Sequence, residues 1–160
     1  MPETTQGHRV PGLTVDAVIV QDRDVLLIHR RNEPRGWALP GGFVDEGETV
    51  EDATRREVTE ETGLEVVLSA LVGVFSDPER DPRQHNVSVA FLAALRDAAD
   101  RGRATAGDDA DDARWFPFDA LPSLLFDHAH IVGHARELLA PRSASYATAR
   151  LCTERRCPHR

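Results

Sequence analysis

An α/β fold is predicted by three features of the sequence: two β-branched runs separated by a polar turn, a Glu-rich stretch bounded by helix start and stop signals, and an apolar helical periodicity near the C-terminus. Residues 13–20 (LTVDAVIV) read as a buried strand. Gln21, Asp22, Arg23 and Asp24 then turn the chain, and residues 25–30 (VLLIHR) return it as the second strand of a hairpin. Residues 31–35 (RNEPR) form a loop that leads into residues 37–42 (WALPGG). There Pro40 fixes one dihedral, while Gly41 and Gly42 permit backbone geometry that other residues resist. Trp37 lies between a strand and a glycine turn, a position that favours core packing over stacking on a base. Phe43 and Val44 continue a short strand.

The helix that follows is marked at both ends. Thr49 with Asp52 three residues later is an N-cap signature, Glu51 and Asp52 suit the positive end of the dipole, and Gly63 is a C-terminal stop, so the helix ends near Thr62. The pairs Glu51 with Arg55 and Asp52 with Arg56 are spaced for i,i+4 contacts worth about 0.2–0.5 kcal/mol each. Its second half breaks the local rules. Glu57, Glu60 and Glu61 share one face, and the last two sit at the negative end of the dipole, placements that cost about 0.3–1 kcal/mol each. Arg56 reaches Glu60, but one guanidinium does not neutralise three carboxylates. A hard divalent cation resolves the conflict, because Mg²⁺ or Mn²⁺ turns mutual repulsion into shared ligation. The alternative is an acidic, solvated helix face.

Residues 64–75 (LEVVLSALVGVF) form a strand with a bend around residues 69–71. Residues 76–85 (SDPERDPRQH) break the pattern as an exposed loop of the kind that commonly holds specificity residues. Residues 86–95 (NVSVAFLAAL) suit a central strand, and 96–103 a polar turn. Residues 104–113 (ATAGDDADDA) read as an acidic loop before a last strand at 114–118 (RWFPF). A C-terminal amphipathic helix spans His128–Leu139, with Ile131, Val132, Ala135, Leu138 and Leu139 on its apolar stripe and Asp127 as its N-cap. His128, His130 and His134 lack the glutamate of a zincin arrangement and read as structural histidines.

Length and composition fit one domain. The 160 residues, 41% of them hydrophobic, suffice for a single core, organised as an N-terminal extension at 1–12, a domain at 13–140 and a tail at 141–160. The tail reads as mobile or as an arm against a second subunit, the basis for expecting a homodimer. Its Cys152, Cys157 and His159 match structural zinc sites poorly. The N-terminus MPETTQGHRV has no hydrophobic core of a signal peptide and no apolar run reaches a membrane span, so a cytoplasmic protein without a membrane partner is expected. A net charge of -8 argues against a nucleic-acid duplex as partner. The chain has no Lys, so a side chain that grips phosphate as a cation is an Arg or a His.

Gly42, Glu48, Arg56, Glu57, Val58, Glu60, Glu61, Gly63 and Leu64 match every defined position of the pattern G-x5-E-x7-R-E-U-x-E-E-x-G-U, with U a bulky aliphatic. The chain therefore resembles the Nudix hydrolases, which cleave a nucleoside diphosphate linked to another moiety. The resemblance extends over residues 13–139 and implies a mixed β-sheet sandwiched between helices. Pro78, 15 residues past Gly63, and the string FSDPERDPRQHNVSVAF are similar to the ADP-ribose pyrophosphatase group. The resemblance implies a metal set of the Gly41 carbonyl, Glu48, Glu57, Glu60 and Glu61 holding Mg²⁺, with Mn²⁺ as substitute. It implies that Arg56 orients these glutamates and that the base is Glu57, Glu60 or a loop acid, Asp109 before Asp112. Arg30, Arg80, Arg83, His85 and Phe126 are candidates for contacting a small nucleotide diphosphate. ADP-ribose is the expected substrate, giving AMP and ribose 5-phosphate. The alternatives are a pyrophosphohydrolase of nucleoside triphosphates, oxidised ones included, and a sensing module without catalysis.

Overall fold

The structure is a computed structural model in which residues 10–107 and 110–140 are described. Strands β1 (Gly12–Gln21) and β2 (Asp24–Arg30) form the expected hairpin, turned by Asp22 and Arg23 in left-handed conformation at φ 51° and 72°. Two short strands follow, β3 (Gly36–Ala38) and β4 (Gly41–Phe43), then helix α1 (Val50–Thr62). The long strands β5 (Val66–Phe75) and β6 (Asn86–Leu95) lead through a 3₁₀ helix, Ala98–Arg103, to β7 (Ala110–Pro117) and helix α2 (His128–Leu139).

The strands make one mixed sheet in the order β3-β2-β1-β6-β5, with β4 on β1 and β7 on β2. The β1–β6 pairing is parallel and the others are antiparallel. Alternation along β1 and β2 decides which helix covers which face. Ala17, Ile19 and Leu26 pack with Val58 and Leu64 on the α1 side. Val18, Val25 and Leu27 pack with Ile131, Val132 and Ala135 on the α2 side. The result is the sandwich that the resemblance implied. Trp37 belongs to the α2-side core, edge-on to Phe116.

Helix α1 keeps its expected limits. The Thr49 hydroxyl accepts the Asp52 N–H at 3.1 Å, and Gly63 closes the helix in left-handed conformation with its N–H on the Thr59 carbonyl. Neither expected i,i+4 pair is among the ion pairs of the described residues: Arg55 pairs with Asp52 at 2.9 Å, and Arg56 is turned toward Glu48 and Glu57. The bend expected in residues 64–75 appears as register shifts between Leu68 and Ala70 and between Leu71 and Gly73. The polar turn at 96–103 is a 3₁₀ helix whose Asp97 side chain accepts the Ala99 N–H.

The last strand begins at Ala110 and not at Arg114. Small residues and acids made this segment read as loop, but Ala110 and Ala113 pack against Ile28, and their backbone pairs along β2. Asp111 and Asp112 are thereby strand residues held by Arg31 and Arg114. Among the described residues no helix is long and apolar enough to cross a membrane.

Candidate active site

Strand β4 crosses the acidic face of α1 because Gly41 and Gly42 pair with Asp16 and Val15 of β1. The approach is closest at Gly42, where an added Cβ would stand 2.5 Å from the Glu57 carboxylate, so only glycine leaves that carboxylate room. The Gly41 N–H donates to Glu61 Oε2 at 2.9 Å. Glu57 and Glu61, one turn apart on α1, both line a cavity of about 300 Å³.

Arg56 organises the remaining carboxylates. Its Nε and Nη2 donate to Glu48 at 2.9 Å each, its Nη1 to Glu57 at 2.7 Å and to Glu60 at 3.4 Å, and its Nη2 also to the Phe43 carbonyl at 2.9 Å. Hydrogen bonds from Arg56 hold the Glu48 carboxyl below its ordinary range, and the same bond raises the guanidinium above its own. Burial pushes Glu57 up despite Arg56. Glu61 is pushed up to about 8, by burial first, against the Gly41 N–H and with Glu57 and Asp16 adding to the rise. Two half-buried carboxyls side by side in a cavity, both pushed toward their protonated form, mark a candidate functional site.

The donors at this end of the cavity are oxygens, which suits a hard cation. Among the described residues no three carboxylate or imidazole groups already converge as a chelate. Arg56 holds Glu48, Glu57 and Glu60, and, with Asp16, Asp45 and Asp81 elsewhere on the lining, the helix glutamates that line the cavity are Glu57 and Glu61. This pair fits Mg²⁺, which takes one or two carboxylates and completes its octahedron with water and phosphate oxygens.

The opposite wall is a buried polar network. Asp16, on β1, accepts from Ser88 Oγ at 2.5 Å and from Arg80 Nη2 at 3.4 Å. Arg80 also donates Nε and Nη2 to the two oxygens of Asp127, at 2.9 and 2.6 Å. The Leu39 N–H donates to His128 Nδ1 at 2.9 Å, so the neutral ring carries its proton on Nε2, which faces Asp16 Oδ1 at 3.3 Å. Burial pushes the His128 pKa down, which favours that neutral form. Nearby, Asp81 takes both Arg83 (Nε 2.9 Å, Nη2 2.7 Å) and Asn86 (2.8 Å).

Between Arg80 and α2 the backbone is strained at one residue. Phe126 has φ 55°, a conformation bulky side chains rarely adopt. Its neighbours hold it there: the Leu125 N–H donates to the Trp37 carbonyl, Asp127 is clamped by Arg80, and His128 is tied to Leu39. Its ring borders the cavity with the Arg30 and Arg83 guanidiniums 5.5 and 5.1 Å from the ring centroid.

The expected site residues therefore divide. The cavity brings together Gly41, Glu57, Glu61, Arg30, Arg80, Arg83 and Phe126. Glu48 and Glu60 lie on Arg56, Glu60 with its side chain 60% exposed. His85 is not among the cavity residues, and its buried Nε2 has no hydrogen-bond partner among the described residues. Asp109 lies outside the described residues, as do residues 1–9 and the tail with Cys152, Cys157 and His159. Arg80 is buried on carboxylates rather than displayed on a solvated loop. Asp127 occupies the cap position of α2, but its side chain makes no cap bond because both oxygens go to Arg80. Asp16, Asn86 and Ser88 escaped the sequence reading, while His128, expected as a structural histidine, is buried in the network on the cavity wall. The available signals were a lone charge inside LTVDAVIV and polar residues alternating with valines at the start of β6.

The family model for the NUDIX domain matches residues 10–137. The chain belongs to the Nudix family. An ADP-ribose pyrophosphatase of Methanocaldococcus jannaschii is 48% identical to it over 124 residues, 76% of this chain and 71% of that one. Among solved structures, the NUDIX domain of Shewanella oneidensis NrtR complexed with ADP ribose aligns with a TM-score of 0.70 at 29% identity, covering 85% of this chain and 93% of that one. A bifunctional NMN adenylyltransferase/ADP ribose pyrophosphatase from Francisella tularensis, complexed with AMP and Mn ion, gives 0.66 at 29% identity, covering 82% of this chain and 42% of that longer one. The Nudix box, from Gly42 to Leu64, is thus the loop, helix and exit that frame the acidic end of the cavity.

Proposed function

We propose that this Nudix protein is a hydrolase that cleaves ADP-ribose to AMP and ribose 5-phosphate with Mg²⁺, for which Mn²⁺ substitutes. The observation that carries the proposal is the pair Glu57 and Glu61, half-buried at one end of a cavity whose other wall offers Arg30, Arg83 and Phe126. The identity to the archaeal ADP-ribose pyrophosphatase supports the choice of substrate.

Glu57, Glu61 and the Gly41 carbonyl would hold the cation, with Glu48 and Glu60, which Arg56 binds, as further candidate ligands. A bound Mg²⁺ supplies charge neutralisation for the diphosphate and a lowered pKa for the attacking water. The chain does the rest. Water oxygen bonds to one phosphorus as the bridging P–O bond breaks, the bridging oxygen leaves with the other phosphate, and a base takes the water proton. Glu57, Glu60 and Asp109 are the candidates for that base. Of these, Glu57 is the one that lines the cavity among the described residues. Arg30 and Arg83 offer guanidiniums for phosphate or ribose oxygens, with Arg80 and His85 as further candidates.

Phe126 is proposed as the surface on which the planar or sugar part of the substrate lies. Phe126→Ala is expected to raise KM about tenfold with kcat within a factor of about two, since stacking of a base on an aromatic ring contributes roughly 1–3 kcal/mol. Equal losses in kcat and kcat/KM would instead place Phe126 in the chemical step.

The proposal is tested by incubating the protein with ADP-ribose and Mg²⁺ and separating the products. AMP and ribose 5-phosphate without inorganic pyrophosphate are expected. Release of pyrophosphate from nucleoside triphosphates, with ADP-ribose untouched, favours the triphosphate reading, and no turnover of either favours a sensor. A cytoplasmic location and a homodimer remain expectations for fractionation and light scattering.

A further inference from the structure

Gly63 stops α1, but the sequence leaves the charge at that end uncompensated. Its last turn has no basic residue, while Glu60 and Glu61 add negative charge where the helix dipole is already negative. Beyond the Thr59 carbonyl, which accepts the Gly63 N–H, the carbonyls of that turn also lack partners within the helix. The structure meets them with backbone from the connection between β6 and β7. The Thr105 N–H donates to the Thr62 carbonyl at 3.0 Å, and the Gly107 N–H to the Glu61 carbonyl at 2.9 Å. Glu61 is thus held twice, by Gly107 at its main chain and by Gly41 at its carboxylate.

The contact at Gly107 leaves no room for a side chain. A Cβ there would lie 2.0 Å from the Glu60 carbonyl oxygen, 3.0 Å from its carbonyl carbon and 3.1 Å from Glu61 Cα. All three are backbone atoms of the metal-facing turn, so nothing flexible can yield. Gly102, earlier in the same connection, has nothing within 4 Å of its Cβ position. Glycine is therefore needed at 107 for an approach that the connection as a whole does not demand.

We propose that Gly107 is a positioning residue for the cation site: its N–H and its missing side chain set the last turn of α1 so that Glu61 is presented to the ion. The proposal rests on the reading of Glu57 and Glu61 as cation ligands. Displacing the connection would free the Glu61 carbonyl and shift the backbone that carries both Glu60 and Glu61. Mutating the outer-shell groups that orient metal ligands weakens metal sites by about 10–100-fold.

The test compares Mn²⁺ binding, read from the EPR signal of free Mn²⁺, in the unmodified protein, Gly107→Ala and Gly102→Ala. Gly107→Ala is expected to weaken Mn²⁺ binding about tenfold and to raise the Mg²⁺ concentration for half-maximal activity by the same factor. Gly102→Ala should match the unmodified protein in both. Wild-type affinity in a folded Gly107→Ala protein overturns the positioning role and leaves the ligand assignment standing. Absence of Mn²⁺ binding in the unmodified protein overturns both. If Gly107→Ala does not fold, hydrogen exchange in the unmodified protein decides. Mg²⁺ should slow exchange of the Thr105 and Gly107 amides, and rates indifferent to Mg²⁺ overturn the proposal.

Discussion

Replacing Glu61 by Gln is expected to lower kcat by about 10³-fold, the scale seen when one electrostatic partner of a transition state is removed, while the fold survives. Survival follows from the charge state. With its pKa pushed up to about 8, Glu61 is largely protonated near neutrality when no cation is bound, so a neutral amide of the same shape replaces a largely neutral acid. The amide oxygen can still accept the Gly41 N–H. A carboxyl whose folded pKa lies above its unfolded value contributes stability below about pH 4.5 that is lost as pH rises through about 8. Without divalent cation, the unmodified protein should therefore melt at falling temperatures across that window, and Glu61→Gln should melt with a shallower slope. Glu57→Gln should cost as much activity but more stability, because the Arg56 guanidinium 2.7 Å away loses a charged acceptor. Retention of turnover by Glu61→Gln within tenfold would remove this residue from the site.

Arg80→Ala is expected to destabilise the protein by about 3–5 kcal/mol, the range for removing one member of a buried ion pair. The Arg80 side chain is 4% exposed and lies between Asp127 and Asp16. Its removal leaves two carboxylates facing each other near His128, without the guanidinium that compensates them. The urea midpoint should fall with little change in m. Loss of the clamp on Asp127 also frees Phe126 from its strained conformation, so KM should rise with the destabilisation. A change below about 0.5 kcal/mol would fit a solvated loop arginine instead.

The contrast between Arg80 and the box glutamates shows what the sequence could convey. Glu57, Glu60 and Glu61 conflict within one helix, and a conflict between neighbours in sequence is visible without a structure. The cap at Thr49, the stop at Gly63 and the strands with strong β-branched runs are local in the same sense. Arg80 meets Asp127 across 47 positions and Asp16 across 64, through a loop whose prolines and charges look solvated. Neither partner is marked locally, since Asp127 imitates a helix cap and Asp16 sits in an otherwise apolar strand. The early start of β7 was hidden for a related reason: its alanines acquire strand character only by pairing with β2. The division of the acids had the same origin. Only the packing of β4 on α1 decides that Glu57 and Glu61 face the cavity while Glu60 turns to solvent.

In the proposed cation site, metal binding at Glu61 takes the place of a proton. The measurement that tests it most directly is Mn²⁺ affinity between about pH 6 and pH 9, followed by EPR in the unmodified protein and in Glu61→Gln. The affinity of the unmodified protein should climb with pH, level off above about 8 and be accompanied by proton release, whereas Glu61→Gln should bind weakly with most of that slope gone. Binding that ignores pH, or that is equally tight in Glu61→Gln, would contradict it.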